Sequence, residues 1–94
     1  MDTKQPAVYI LASKKNGTLY IGVTSNLTQR ITQHKSGLIG NFTKHYKCKI
    51  LVYYKYIGTM PDAIKREKYL KGKSRDFKIN LIEQNNFEWN DLYG

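Results

Sequence analysis

The chain has one cysteine, seven acidic side chains and no apolar run long enough to span a membrane. Each scarcity removes a class of protein. A lone Cys48 closes no internal disulfide and builds no CxxC metal site, as expected in a reducing compartment. A bilayer-spanning helix needs about 20 apolar residues, and none of the hydrophobic stretches approaches that. The opening Met1-Asp2-Thr3-Lys4-Gln5-Pro6 lacks the basic-then-apolar order of a secretory signal. A soluble cytoplasmic protein without membrane association is the expectation. Repeats, low-complexity tracts and linkers are also missing, so 1–94 reads as a single domain with a thin core.

The shortage of acids matters most. Sixteen Lys and Arg against seven Asp and Glu leave a net charge of +9, which attracts polyanions through counterion release and steers their approach. A basic solubility surface or attraction to anionic lipid would give the same sum. No basic amphipathic membrane helix is present, however, and the balance favours nucleic acid. Eight tyrosines accompany the charge. Such rings stack on bases, and they also fill small β-containing cores.

Residues 7–12 and 18–23 are β-branched and aromatic runs, and Asn16-Gly17 between them is a hairpin signal. Ser25-Asn26 supplies cap residues for a first helix that carries Leu27 and Ile31 and stops at Gly37. A basic loop over 38–47 leads to a third strand over 49–56. Thr59-Met60-Pro61-Asp62 opens a second helix that runs to Lys71 and breaks at Gly72. Ser74 caps a third helix through Gln84, with Phe77 and Leu81 inward. The tail residues Phe87, Trp89, Leu92 and Tyr93 are expected to fold back as a hydrophobic latch. The fold class is α+β: a small three-stranded, mainly antiparallel sheet flanked by helices on one side, in the order β-β-α-β-α-α.

Three placements bear on chemistry. A two-residue turn at Asn16-Gly17 sets Tyr9 opposite Thr24, and a four-residue loop sets it opposite Gly22. In either register Tyr9 and Tyr20 share a sheet face while Val8, Ile10, Leu19 and Ile21 fill the other. The two tyrosines are then a reactive pair of hydroxyls or a structural cross-strand aromatic pair, and alternation alone favours the latter. Arg30 and His34 lie one turn apart; they suit phosphate binding and proton transfer, although such a pair is more often a solvated face. Ala63, Glu67 and Leu70 share the inward stripe of the second helix, so Glu67 needs a partner there. That partner is a Lys or Arg, which spacing favours, or a Mg²⁺ ion, which takes one or two protein carboxylates and completes its shell with water and phosphate oxygens.

Together these residues resemble the GIY-YIG nuclease superfamily, and in particular its compact single-domain bacterial branch. Ala7-Val8-Tyr9 and Tyr20-Ile21-Gly22 correspond to the two halves of the signature. Arg30, His34 and Glu67 fall where that family keeps its other catalytic residues, and the similarity extends through 78–92. Ala7 departs from the first glycine of the motif, and Val23 stands where some relatives carry a lysine; Lys44 or His45 are candidates to replace that cation.

The resemblance implies a metal-dependent endonuclease using one Mg²⁺ or Mn²⁺ ion at Glu67, with catalytic Tyr9, Tyr20, Arg30 and His34, and with products ending in 5′-phosphate and 3′-hydroxyl groups. In this reading positive charge around the site lowers the Tyr9 pKa from about 10. Gly22 and Asn80 are supporting candidates; Phe42, Lys44, His45, Arg66 and Lys71 are candidates for nucleic-acid binding. DNA is the expected partner, single-stranded or branched, in repair, recombination or handling of incoming DNA; RNA stays open, as does a protein partner for targeting, and the chain is expected to be a monomer. The alternative is a catalytically inactive nucleic-acid-binding module of the same fold.

Overall fold

A computed structural model describes residues 5–37 and 41–93. Its elements are β1 (Ala7–Ala12), β2 (Leu19–Thr24), α1 (Leu27–Ser36), α2 (Asn41–Tyr46), β3 (Ile50–Tyr56), α3 (Met60–Lys71) and α4 (Arg75–Glu83). The expected order holds, with one addition: the segment read as a loop over 38–47 contains the short helix α2. Its residues 38–40, including Gly40, lie outside the described residues.

The sheet is antiparallel throughout, in the order β2-β1-β3. As the central strand, β1 is buried at all six positions, which is why it reads as an unbroken apolar run rather than an alternating one. The expectation of helices on one side is therefore corrected, because two separate cores cover the two faces. Val8, Ile10, Ile21, Val52 and Tyr53 pack with Ala63 and Leu70 of α3 and Ile82 of α4. Ala7, Tyr9, Leu11 and Leu51 pack on the opposite face with Leu27 and Ile31 of α1 and with Cys48. A bulge in the β1–β3 pairing at Ile10/Leu11 lets the consecutive Val52 and Tyr53 enter the same core.

The hairpin adopts the longer of the two registers, with Tyr9 opposite Gly22 and Leu11 opposite Tyr20. Asn16 takes a left-handed conformation (φ 60°) and the Gly17 amide donates to the Lys14 carbonyl, so Asn16 sits late in a wider turn instead of at the centre of a tight one. The Arg75 guanidinium donates to the carbonyls of both Asn16 and Gly17, at 2.6 Å each.

Caps set the helix starts as expected. Asn26, Thr59 and Ser74 each accept a backbone N–H within the first turn, and Gly37 ends α1 at φ 76°. The tail latches in part. Trp89 is buried in the α3/α4 core with its indole N–H donating to Glu83 at 2.7 Å, and the buried Asn86 amide donates to the Val52 and Asn90 carbonyls. Phe87 departs from expectation: it is 65% exposed, with Lys15 over its ring.

Candidate active site

Tyr9 and Tyr20 lie on neighbouring strands with ring centroids 6.3 Å apart. Their rings face α1 because the register puts both on its side of the sheet. Gly22, directly across from Tyr9, carries the ring: a Cβ there would stand 2.4 Å from Tyr9 Cζ and Oη. The hydroxyl of Tyr9 thus projects along the sheet face to His34, with Oη 2.9 Å from Nε2. The opposite ring nitrogen, Nδ1, is 3.0 Å from Thr43 Oγ1 on α2. All three side chains are buried, so each proton needs a defined partner.

The Arg30 guanidinium lies close enough to favour negative charge on the Tyr9 oxygen. The tautomer with its proton on Nδ1 leaves Nε2 free to accept from the Tyr9 hydroxyl and directs Nδ1–H at Thr43 Oγ1. This is a neutral imidazole, in keeping with burial and the Arg30 charge, which hold the His34 pKa below its ordinary 6.5.

The Tyr9 phenol is displaced the other way. Burial, then the neighbouring Tyr20, push it well above its ordinary value; Arg30 opposes the rise through charge and hydrogen bonding, and the Glu67 carboxylate adds to it. The expected lowering by positive charge is reversed here, because loss of hydration outweighs a single guanidinium.

On α3, Glu67 lies with its side chain 16% exposed and pairs with Lys71 at 3.2 Å. The partner foreseen for a carboxylate on this stripe is thus present as a lysine. Among the described residues no three His, Cys, Asp or Glu side chains gather as a metal cage. A lone, partly accessible carboxylate is nevertheless a donor set that suits Mg²⁺ or Mn²⁺, since a hard cation of this kind takes most of its shell from water and phosphate oxygens.

Around this centre α2 contributes most of what the sequence left undefined. Phe42 lies 5.9 Å from Tyr20, and Tyr46 lies 4.7 Å from Phe42. A 300 Å³ cleft opens between Tyr20, Phe42, Lys71 and Lys78. Lys44 and His45 are exposed on the same helix, His45 packing on Tyr46. Two candidates stand apart from the Tyr9 cluster. Arg66 lays its guanidinium over Tyr69, and Asn80 is exposed on α4. Thr43 and Lys78 were missed in the sequence: nothing in an unrecognised helix marks a threonine as a histidine partner, and Lys78 looks like any surface lysine.

The GIY-YIG catalytic domain model matches residues 5–80. A UPF0213 protein of Staphylococcus haemolyticus is 36% identical over 77 residues, covering 82% of this chain and 93% of that protein. One from Syntrophus aciditrophicus is 38% identical over 79 residues, covering 83% and 90%. The solution NMR structure of a UPF0213 protein from Bacillus halodurans is similar with a TM-score of 0.56 and 29% identity, covering 90% of this chain and 92% of that one. This chain belongs to the GIY-YIG catalytic domain family, whose chemistry is of the nuclease type and whose substrate is nucleic acid.

Proposed function

We propose that this protein is a cytoplasmic, monomeric endonuclease that hydrolyses DNA phosphodiesters with one divalent metal ion, acting on single-stranded or branched DNA in repair, recombination or handling of incoming DNA. The observation that carries the reading is the buried hydrogen bond between Tyr9 Oη and His34 Nε2, flanked by Arg30 and within electrostatic reach of Glu67. It supplies a path for a proton, a cation for a phosphate and a carboxylate for a metal in one place.

Burial, by raising the phenol, disfavours a standing tyrosinate as the base, and the hydrogen bond offers another route. As water attacks phosphorus, its proton passes to Tyr9 Oη while the Tyr9 proton passes to His34 Nε2. Hydroxide is delivered to phosphorus and the P–O bond to the 3′ oxygen breaks; the departing 3′ alkoxide takes a proton from solvent water and His34 returns its extra proton to solvent, so the products carry 5′-phosphate and 3′-hydroxyl ends. Thr43 holds Nδ1–H, which keeps Nε2 in the accepting state. Arg30 binds the non-bridging oxygens, most tightly as charge builds on them. Burial, then the Arg30 charge, lower the His34 pKa; a bound phosphate would offset the Arg30 part and make His34 a better base when substrate is present. Mg²⁺ or Mn²⁺ held by Glu67 would polarise the phosphate and stabilise the leaving oxygen. The exposed Phe42 and Tyr46 on α2 and the lysines of the adjoining cleft favour unpaired bases over a closed duplex.

A second reading, a binding module that does not cut, draws on the Glu67–Lys71 ion pair, which occupies the carboxylate. One experiment separates the two. End-labelled single-stranded, duplex and flapped DNA are incubated with the protein in Mg²⁺, Mn²⁺ or EDTA, beside Glu67→Ala. Metal-dependent cutting abolished by the substitution supports the nuclease; salt-sensitive binding without cutting in any metal rejects it in favour of the module.

A further inference from the structure

A second groove lies on the same sheet face, on the β3 side of Tyr9. Tyr54 is the direct cross-strand partner of Tyr9, and Tyr56 is the partner of Ala7, so both project toward α1. They remain 41% and 51% exposed, with ring centroids 5.7 Å apart. The tail supplies the opposite wall. The Leu92 amide donates to the Leu51 carbonyl at 2.7 Å, and Tyr93 Oη lies 2.6 Å from Thr32 Oγ1 on α1. With Leu27 and Thr28 at the start of α1, these residues enclose about 440 Å³, within the range of small-ligand sites.

We propose that this groove is a base-stacking subsite for unpaired nucleotides flanking the phosphodiester held at Tyr9. The inference rests on the nuclease reading of the Tyr9 site. Three features select nucleotides over an apolar peptide or a second copy of the chain. The exposed walls are mostly tyrosine rings, which offer flat π-faces tolerant of any base. The molecule carries +9, no carboxylate is among the described residues that line the groove, and Asp91, next to the lining Leu92, is ion-paired to Lys35, leaving a field that draws polyanions. Tyr54 and Tyr9 pair directly across the sheet, so the groove lies one strand spacing, about 4.8 Å, from the strand that carries the catalytic tyrosine. The α2 side, with Phe42 and Tyr46, would receive the other flank, and the scissile bond would lie between two stacking surfaces.

The test uses the full-length protein in EDTA, where no cutting occurs, and a short oligothymidine beside an abasic oligomer of equal charge. Tyrosine-ring NMR resonances of Tyr54 and Tyr56 are expected to shift with oligothymidine and not with the abasic oligomer. Tyr54→Ala/Tyr56→Ala is expected to weaken oligothymidine binding about ten-fold and leave abasic binding unchanged, while Tyr54→Phe/Tyr56→Phe restores it. In Mg²⁺ the double alanine variant should raise KM by the same factor with little change in kcat. Equal binding of both oligomers, rings that shift only with protein concentration, or an alanine variant with unaltered KM would each overturn the subsite, the second pointing to self-association. Ring shifts and base-dependent affinity without metal-dependent cutting would instead support the subsite and remove the nuclease reading.

Discussion

Gly22 lies against the face of the Tyr9 ring, so closely that a methyl group there would stand 2.4 Å from the phenol carbon and oxygen. The glycine of the second signature half is thus the seat of the tyrosine of the first. Gly22→Ala must push the ring off His34, because Tyr9 is fully buried and has nowhere else to place its hydroxyl. The expected result is a destabilisation of about 1–3 kcal/mol, measured by urea unfolding. Nuclease activity should fall by about 100-fold, because displacing the reactive oxygen by an ångström is that costly. Wild-type activity in a folded Gly22→Ala variant would refute this seating role.

His34 is expected to set the acid limb of the pH profile. Burial, then the Arg30 charge, hold its pKa below the ordinary 6.5, and in the proposed mechanism the neutral form takes the Tyr9 proton. Cutting should therefore be retained down to pH values below 6.5 and lost as His34 becomes charged. Stability follows the same sign: a histidine lowered by folding contributes fully above its unfolded value, and that contribution disappears as pH falls through the folded value. His34→Ala should remove this acid limb from kcat/KM; an unchanged limb would assign it to another group.

Thr43→Val preserves shape and deletes the oxygen 3.0 Å from His34 Nδ1. Leaving Nδ1–H buried without an acceptor costs about 1–3 kcal/mol. The imidazole is then free to take the other tautomer, with a proton on Nε2 that cannot accept from Tyr9. Activity should drop while DNA affinity stays constant, and ¹⁵N chemical shifts of the His34 ring should report the change of tautomer. Unaltered shifts would exclude Thr43 as a positioning residue.

Arg30→Lys keeps the charge and removes the planar fork. A lysine binds phosphate as a point charge and cannot make two parallel hydrogen bonds. An effect on kcat of about 100-fold is expected if Arg30 acts mainly in the transition state, with little change in melting temperature. Loss confined to KM would identify Arg30 as a ground-state phosphate anchor.

Asp91 clamps the tail. Burial opposes its ionisation, yet the Lys35 ammonium and the amides of Tyr93 and Leu51 hold its pKa below the ordinary 3.8. A carboxylate lowered by folding stabilises above its unfolded pKa and loses that contribution as pH falls through the folded one. Since the pair is about one-third exposed, the effect is screened and worth at most about 1 kcal/mol. Asp91→Asn should flatten the stability curve below pH 4 and loosen Tyr93 from Thr32, read as faster amide exchange at Leu92 and Tyr93. Identical acid unfolding of the two proteins would dismiss the clamp.

Local signals in the sequence were sufficient for the frame. Asn26, Thr59 and Ser74 announce helix starts because an N-cap acts over three residues, and β-branched runs announce strands for the same short-range reason. The signature tyrosines, Arg30, His34 and Glu67 were legible as a set because their order along the chain is specific. Legibility ended where contacts cross the fold. Helix α2 has no cap signal strong enough to read, and it brings Thr43 to His34 across nine residues. Phe87 and Trp89 are both large and aromatic, but only Trp89 finds both a core gap and the Glu83 acceptor.

The amino-acid order by itself determined the α+β class, the antiparallel hairpin, the shared face of Tyr9 and Tyr20 and the basic character that suits nucleic acid. These follow from periodicity, propensity and charge, which are properties of neighbours in the chain. Tertiary structure alone decided which hairpin register is used, that helices cover both sheet faces, and that Tyr9 is buried against His34. Hydration lost on packing, and the distance between groups far apart in sequence, set a pKa and a hydrogen-bond partner; neither exists until the chain is folded.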